Sequence, residues 1–255
     1  MDPAPLPVSP PPLPEPRPWG FWATVGLGLA AFTAYSMVQV MVVAVFMVAS
    51  PALREASRTV RNPMHNGLLL AVTTCLTAPV LIAVTWSFAA MRRGPSMRDY
   101  FALRWPARTE LARAVIGLLV FLAASDTLTS LMDRPIVPDF MVEAYRTAVF
   151  PPLLWMAVVV AAPVTEEMFF RGFLFTGFQQ SKAGPVGATV LTAAVWAVIH
   201  LQYDWVGILT IFLVGLLFGW VRVRTNSLFL CVGLHALMNL LATLQLYGLL
   251  HVTGD

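Results

Sequence analysis

The chain contains 255 residues, of which 58% are hydrophobic and only 11% are Asp, Glu, Lys or Arg. A soluble domain usually carries about 25% charged residues, so this composition excludes an ordinary soluble globular protein. The mean hydropathy of +0.74 and several long runs without charge indicate a polytopic helical protein in a lipid bilayer. The net charge of +3 is spread over the loops between these runs and builds no basic face, which argues against a nucleic-acid partner.

The N-terminal 18 residues contain nine prolines and predict an extended, disordered tail. The apolar runs that follow predict an all-α membrane helix bundle of about seven transmembrane helices, within a range of six to eight. The fourth run is longer than the membrane is thick and contains Pro163, which predicts a kink, a tilt or a broken helix. The predicted helices are 20–49, 66–91, 111–132, 151–178, 185–203, 206–223 and 226–250.

The chain is expected to divide into four parts and to have one orientation in the membrane. After the tail at 1–18, we predict N-terminal membrane helices over 19–147, a core with the chemistry-bearing motifs over 148–250, and a short tail at 251–255. Ten Lys and Arg residues fall on the side of the N-terminus and five on the opposite side. This asymmetry predicts a cytoplasmic N-terminus and a C-terminus outside.

Three charged residues lie in the middle of the fourth helix, in the segment PVTEEMFFRGFLF. Each intramembrane charge costs about 2.5–3.5 kcal/mol on insertion scales, so each needs a compensating partner. Glu167 and Arg171 are four residues apart on one helical face, in the order that favours an ion pair, which we interpret as structural. Glu166 points about 100° away and has no local cation, so its partner must come from another helix. It is either a general acid or base, or a protonated glutamate bonded to a neighbouring carbonyl.

Two histidines and an asparagine occur in later helices. His200 lies near the end of the fifth helix, while His235 and Asn239 are four residues apart on one face of the seventh. For His200 alone, a histidine at the membrane interface that bonds to the backbone is the simpler interpretation. At about 1.5 Å per residue, however, Glu166, His200 and His235 lie at depths within about two helical turns of one another. We therefore predict that these side chains converge at one site.

These residues form three motifs in a fixed order: EExxxR, aromatic-xxx-His and HxxxN. Over residues 150–245 this order resembles the CPBP family of intramembrane proteases, which includes the type II CAAX prenyl proteases. The aromatic residue of the second motif is Trp where the family commonly has Phe. The motif residues here are Glu166, Glu167 and Arg171, then Trp196 and His200, then His235 and Asn239.

The resemblance implies that the segment 148–250 is the core of a glutamic intramembrane endopeptidase that needs no cofactor. Glu166 and His200 would activate a water molecule, and His235 and Asn239 would form the oxyanion hole. Glu167, Arg171 and Trp196 would support these four residues. The implied substrate is a membrane-associated protein or peptide, and the expected location is the bacterial inner membrane.

Other functions fit the same residue types. Glu166, His200 and His235 supply the two-histidine, one-carboxylate ligand set of catalytic zinc, so a zinc-dependent version of the protease is the main mechanistic alternative. A non-catalytic membrane scaffold or immunity protein could keep the same fold and bind a partner. A proton-coupled transporter could use Glu166 and the histidines as a relay, although the sequence shows no internal repeat.

One more charge, Asp126, lies within the third helix in the segment AASDTLTSL. We expect it to cap a helix, to bond locally to Thr127 or Thr129, or to mark a break in the helix. A role in substrate access, or pairing with the site, is the less favoured interpretation.

Overall fold

A computed structural model describes residues 19–49, 65–92 and 96–253. The predicted tail at 1–18 lies outside these described residues, as do residues 254–255. Within the described ranges the secondary structure is helical. The helices are α1 (Phe21–Ala49), α2 (Gly67–Met91), α3 (Met97–Tyr100), α4 (Arg108–Leu131), α5 (Asp139–Arg146), α6 (Pro151–Gln179), α7 (Gly184–Val198), α8 (Trp205–Thr225) and α9 (Leu228–Thr253).

Six helices of the described chain are long and apolar enough to cross a membrane: α1, α2, α4, α6, α8 and α9. The seventh apolar helix, α7, has only 15 residues. The predicted all-α polytopic membrane bundle is therefore confirmed, with each predicted helix represented. The last helix continues to Thr253, so residues 251–253 of the predicted tail are helical.

The fifth predicted helix is too long by five residues, since α7 ends at Val198 and not at 203. The reason is the start of the next helix, where the Asp204 side chain accepts a hydrogen bond from the Gly207 N–H and caps α8. An aspartate at this position satisfies one of the free N–H groups of the first turn. His200 consequently lies in the connection between α7 and α8, and not on a helix.

The long helix α6 contains two π-helical segments, Met156–Ala161 and Met168–Leu174. In the first, the Ala162 N–H donates to the carbonyl of Ala157, five residues earlier. The next residue, Pro163, has no N–H to donate. Neither residue therefore donates to the Val158 carbonyl, which is left free for a partner from elsewhere. The interruption predicted from Pro163 thus takes the form of a π-helical segment, a feature often found at functional sites.

The hydrophobic core surrounds α6 and includes residues from both halves of the chain. Ala31 of α1, Leu81 of α2 and Leu118 of α4 are buried in the same cluster as the aromatic rings of α6, α7 and α8. Because the two halves pack into one core, the division at residue 147 stays a prediction. The largest buried aromatic side chains of this cluster are Tyr100, Phe101, Phe170, Phe173, Phe175, Trp196 and Phe218.

The favoured interpretations of Asp126 are wrong. Helix α4 continues without a break through this residue to Leu131. The carboxylate of Asp126 accepts a hydrogen bond at 2.7 Å from the side-chain amide of Gln245 on α9. Thr127 instead donates its hydroxyl to the carbonyl of Ala123. An intramembrane carboxylate needs a polar partner, and here that partner comes from another helix.

Candidate active site

Glu166, His200, His235 and Asn239 all line one cavity of about 420 Å³. The cavity lies among α1, α2, α5, α6, α8 and α9, with the end of α7 at one side. The structure thus places these four side chains together, although they come from three separate stretches of the chain: α6, the connection after α7, and α9. Their chemical roles remain predictions, and the hydrogen bonds around each side chain define what those roles can be.

The buried carboxylate of Glu167 holds two partners at once. Arg171 Nη1 donates to Glu167 Oε1 at 2.9 Å, and both side chains are fully buried, as the sequence spacing predicts. The same oxygen accepts a second hydrogen bond at 2.9 Å from His235 Nδ1 on α9. Arg171 Nη2 also donates to the carbonyl of Gly215 on α8 at 3.2 Å. Glu167 and Arg171 therefore tie α6 to α8 and α9 and fix the ring of His235.

The partner of Glu166 is a tryptophan on α7. The indole Nε1 of Trp196 donates to Glu166 Oε2 at 2.6 Å, while Glu166 itself is only half-buried. The sequence predicts that this partner comes from another helix, but the partner is a neutral donor and not a cation. Oε2 accepts this hydrogen bond, and the choice between a general acid or base and a protonated glutamate stays a prediction.

His200 follows the last turn of α7 and bonds back to it. Its Nδ1 lies 2.6 Å from the backbone carbonyl of Trp196. A carbonyl can only accept, so Nδ1 carries the proton and Nε2 of the neutral ring carries the lone pair. His235 is held in the same way, because its Nδ1 faces the carboxylate of Glu167. In both histidines the described hydrogen bond uses Nδ1, so Nε2 is available to bind water or substrate. His200 also has the backbone hydrogen bond expected of an interfacial histidine.

Asn239 is anchored by the distorted helix α6. Its Nδ2 donates at 2.7 Å to the Val158 carbonyl, which lacks N–H donors from Ala162 and Pro163. A side-chain amide has two N–H groups, so one remains for another acceptor. Because Pro163 has no N–H, the Val158 carbonyl stays available as the acceptor that orients Asn239 at the cavity.

Residues 148–241 match the family model described as type II CAAX prenyl endopeptidase Rce1-like. The match shows that this segment is similar to that family, and we call residues 148–241 the Rce1-like domain. It includes all three motifs and the four residues at the cavity, so the family resemblance inferred from the motifs is confirmed. The N-terminal helices lie outside the matched segment but pack against it.

Two curated proteins are similar to part of the chain. The chain is 29% identical over 122 residues to the uncharacterized protein YyaK of Bacillus subtilis, which covers 43% of this chain and 40% of YyaK. It is 27% identical over 125 residues to an uncharacterized 24.3 kDa protein of Escherichia coli, covering 48% of this chain and 52% of that protein. The chain thus spans about half of these curated relatives or less. No solved structure matches it.

Two tyrosines at the cavity of the Rce1-like domain escape the motif analysis. Tyr35 of α1 lines the cavity and accepts a hydrogen bond from Gln39. Tyr203 lies three residues after His200, and its ring centroid is 6.1 Å from the His200 ring. Burial, together with the negative charge of Glu166, raises the pKa of Tyr203 to about 12. At neutral pH Tyr203 therefore carries a neutral hydroxyl. The sequence signal that could have found it is its position three residues after His200, in the segment HLQY.

A larger cavity of about 850 Å³ adjoins the site of the Rce1-like domain. Phe140, Tyr203 and Asn239 line both cavities, so these side chains lie at the boundary between the two. Asp126 and Gln245 lie on the wall of the larger cavity. Polar side chains on the wall of a cavity inside an apolar bundle are expected where water enters.

The ligand set proposed for zinc does not assemble in the Rce1-like domain. Among the residues that the structure describes, no group of three or more His, Cys, Asp or Glu side chains is placed to hold a metal ion. Catalytic zinc needs three protein ligands that converge on one point, and the donors present do not fit this requirement.

Proposed function

We propose that the protein is an intramembrane endopeptidase that hydrolyses a peptide bond of a membrane-associated protein or peptide. The observation that carries this proposal is that Glu166, His200, His235 and Asn239 line one cavity within the Rce1-like domain. A carboxylate, an imidazole base and two hydrogen-bond donors are the groups that hydrolysis of an amide by water requires.

In the first step, a water molecule attacks the carbonyl carbon of the scissile bond. Glu166 and the lone pair at Nε2 of His200 orient this water, and one of them takes its proton as the new C–O bond forms. The half-buried position of Glu166 suits this role, because a base in a water-poor site loses little energy to solvent reorganisation. The tetrahedral intermediate then collapses, the C–N bond breaks, and the departing amine receives the proton.

In the same step, negative charge develops on the carbonyl oxygen of the substrate. Asn239 offers the amide N–H that Val158 does not use. His235 donates through Nδ1 to Glu167, so it can donate from Nε2 to the oxyanion only as an imidazolium ion. The carboxylate of Glu167 stabilises such a positive ring, which gives Glu167 a part in the chemistry as well as in the fold.

The larger cavity is the proposed route for water and for the substrate chain. Protease substrates bind in an extended conformation, and the free N–H and C=O groups of an extended chain are costly in lipid. Polar side chains at this cavity, such as Asp126 and Gln245, provide partners for such a chain. The shared lining residues Phe140 and Tyr203 then lead it to the site.

The proposal is tested by comparing membrane proteomes, including N-terminal and C-terminal peptides, of cells with wild-type protein and cells with Glu166→Ala. An endopeptidase leaves at least one membrane-associated protein uncut in the variant, and this protein is the substrate. If wild type and Glu166→Ala accumulate equally and the two cell types give the same peptides, the non-catalytic scaffold is the better description of the protein. We also propose that the protein lies in the bacterial inner membrane with its N-terminus cytoplasmic.

Asn239→Ala should weaken catalysis without abolishing it. The substitution removes one of two donors to the oxyanion, which typically costs about 10²- to 10³-fold in rate. The measurement is the single-turnover rate of the purified variant with the substrate found above. Thr243→Ser, one turn further along α9 at the same cavity, is the matched control. Full activity of Asn239→Ala would remove this residue from the site.

Chelation should leave the activity intact. If Glu166 and His200 hold the water directly, the purified enzyme keeps its rate after dialysis against a strong chelator and contains less than stoichiometric zinc by mass spectrometry. If zinc supplies the nucleophile, activity and metal are lost together and return together on addition of Zn²⁺ or Co²⁺. One zinc per chain that behaves in this way would overturn the metal-free mechanism.

A further inference from the structure

We propose that Trp196 is a positioning residue that holds Glu166 and His200 in one fixed arrangement through its indole N–H and its backbone carbonyl. This inference rests on the proposed function, because it concerns the geometry of the two groups that activate the water.

Trp196 is the only described residue that bonds to both Glu166 and His200. Its Nε1 donates to Glu166 Oε2 at 2.6 Å, and its carbonyl accepts from His200 Nδ1 at 2.6 Å. The first bond fixes one carboxylate oxygen and leaves Oε1 for the water. The second fixes the tautomer of His200 with its lone pair on Nε2. Trp196 therefore determines the orientation of the Glu166 carboxylate and also which ring nitrogen of His200 carries the proton.

The ring of Trp196 has little freedom to move. It is 1% exposed, and the guanidinium carbon of Arg171 lies 4.6 Å from the ring centroid. The ring of His235 packs edge-on against it, with the centroids 5.2 Å apart. Because packing and the Arg171 cation hold the indole in place, its N–H fixes the Glu166 carboxylate more precisely than a mobile donor would. A phenylalanine ring could fill part of this space, but it has no N–H to donate.

The test replaces only the N–H group. Trp196→3-benzothienylalanine, introduced by codon suppression, keeps the bicyclic ring and puts sulfur in place of the indole nitrogen. We expect kcat to fall by about 10- to 100-fold, the loss typical of one hydrogen bond to a charged group. KM and accumulation in the membrane should stay as in wild type. Trp220→3-benzothienylalanine, at an exposed ring outside the cavity, is the matched control.

A second measurement reports the hydrogen bond without any need for activity. The indole proton of Trp196, assigned by its absence in Trp196→Phe, should resonate far downfield and move upfield in Glu166→Gln. A wild type that shows this signal but cleaves nothing would contradict the proposed function alone. An unchanged kcat in the benzothienyl variant would overturn the role of Trp196. The same holds if the chemical shift of the indole proton is the same in Glu166→Gln as in wild type.

Discussion

Glu166→Gln is expected to reduce peptide-bond hydrolysis by about 10⁴-fold, the upper end of what a general base contributes. Glutamine has the same shape and still accepts the N–H of Trp196 through its carbonyl, so the fold and the cavity are kept. It can no longer take a proton from water. The measurement is the single-turnover rate of purified enzyme, beside the amount of protein in the membrane. His200→Ala and His235→Ala should also abolish cleavage while the protein remains inserted.

The control for this experiment is Glu110→Gln. Glu110 lies in the first turn of α4, where its carboxylate accepts the N–H of Ala107, far from the cavity. A glutamine carbonyl makes the same bond, so this variant should keep the wild-type rate. If Glu166→Gln cleaves as fast as Glu110→Gln, the site is not catalytic and the protein is better described as a scaffold.

Arg171→Ala is expected to act on the fold more than on the chemistry, with a loss of about 3–5 kcal/mol in stability. Glu167 and Arg171 are both fully buried, so the substitution leaves a carboxylate whose remaining partner is His235. The carbonyl of Gly215 loses its donor in the same change. Accumulation in the membrane and thermal unfolding in detergent measure this loss. Arg224→Ala, at the exposed end of α8, should leave both unchanged.

A double substitution separates the charge from the packing. Glu167→Gln with Arg171→Met removes both charges, keeps the side-chain volumes, and retains an acceptor for His235 Nδ1. Replacing a buried ion pair by uncharged groups of similar volume is often neutral or stabilising, so this protein should regain much of the lost accumulation. A double variant no more abundant than Arg171→Ala would show that the unpaired charge is not the cause of the loss.

The sequence predicts contacts well where they are local. Glu167 and Arg171 are four residues apart on one helix, and this spacing alone indicates their ion pair. The bond from His235 to Glu167 joins positions 68 residues apart, so no local pattern contains it. In the same way, Pro163 predicts a distortion of α6, but only the register of the π-helical turn shows that the Val158 carbonyl becomes the acceptor for Asn239.

Helix ends are predicted poorly where an apolar run continues through a turn. No Asp, Glu, Lys or Arg occurs between Val198 and Asp204, so the charge-free run extends the predicted fifth helix to 203. The end is set by the Asp204 cap of the next helix, a feature of one side chain and one N–H. This error matters for the site, because it places His200 in a connection whose position depends on both neighbouring helices.

Because helix α7 is short, the depth of the site in the membrane depends on the thickness of the bilayer. Its 15 residues reach about 22 Å at 1.5 Å per residue, less than the hydrocarbon core of about 30 Å. Val186, Val190, Val195 and Val198 face outward along it, so lipid chains meet this helix directly. The bilayer around α7 must become thinner to match this length, and the free-energy cost rises with each ångström of mismatch. A thicker bilayer buries the turn with His200 more deeply, while a thinner one brings that turn to the headgroups.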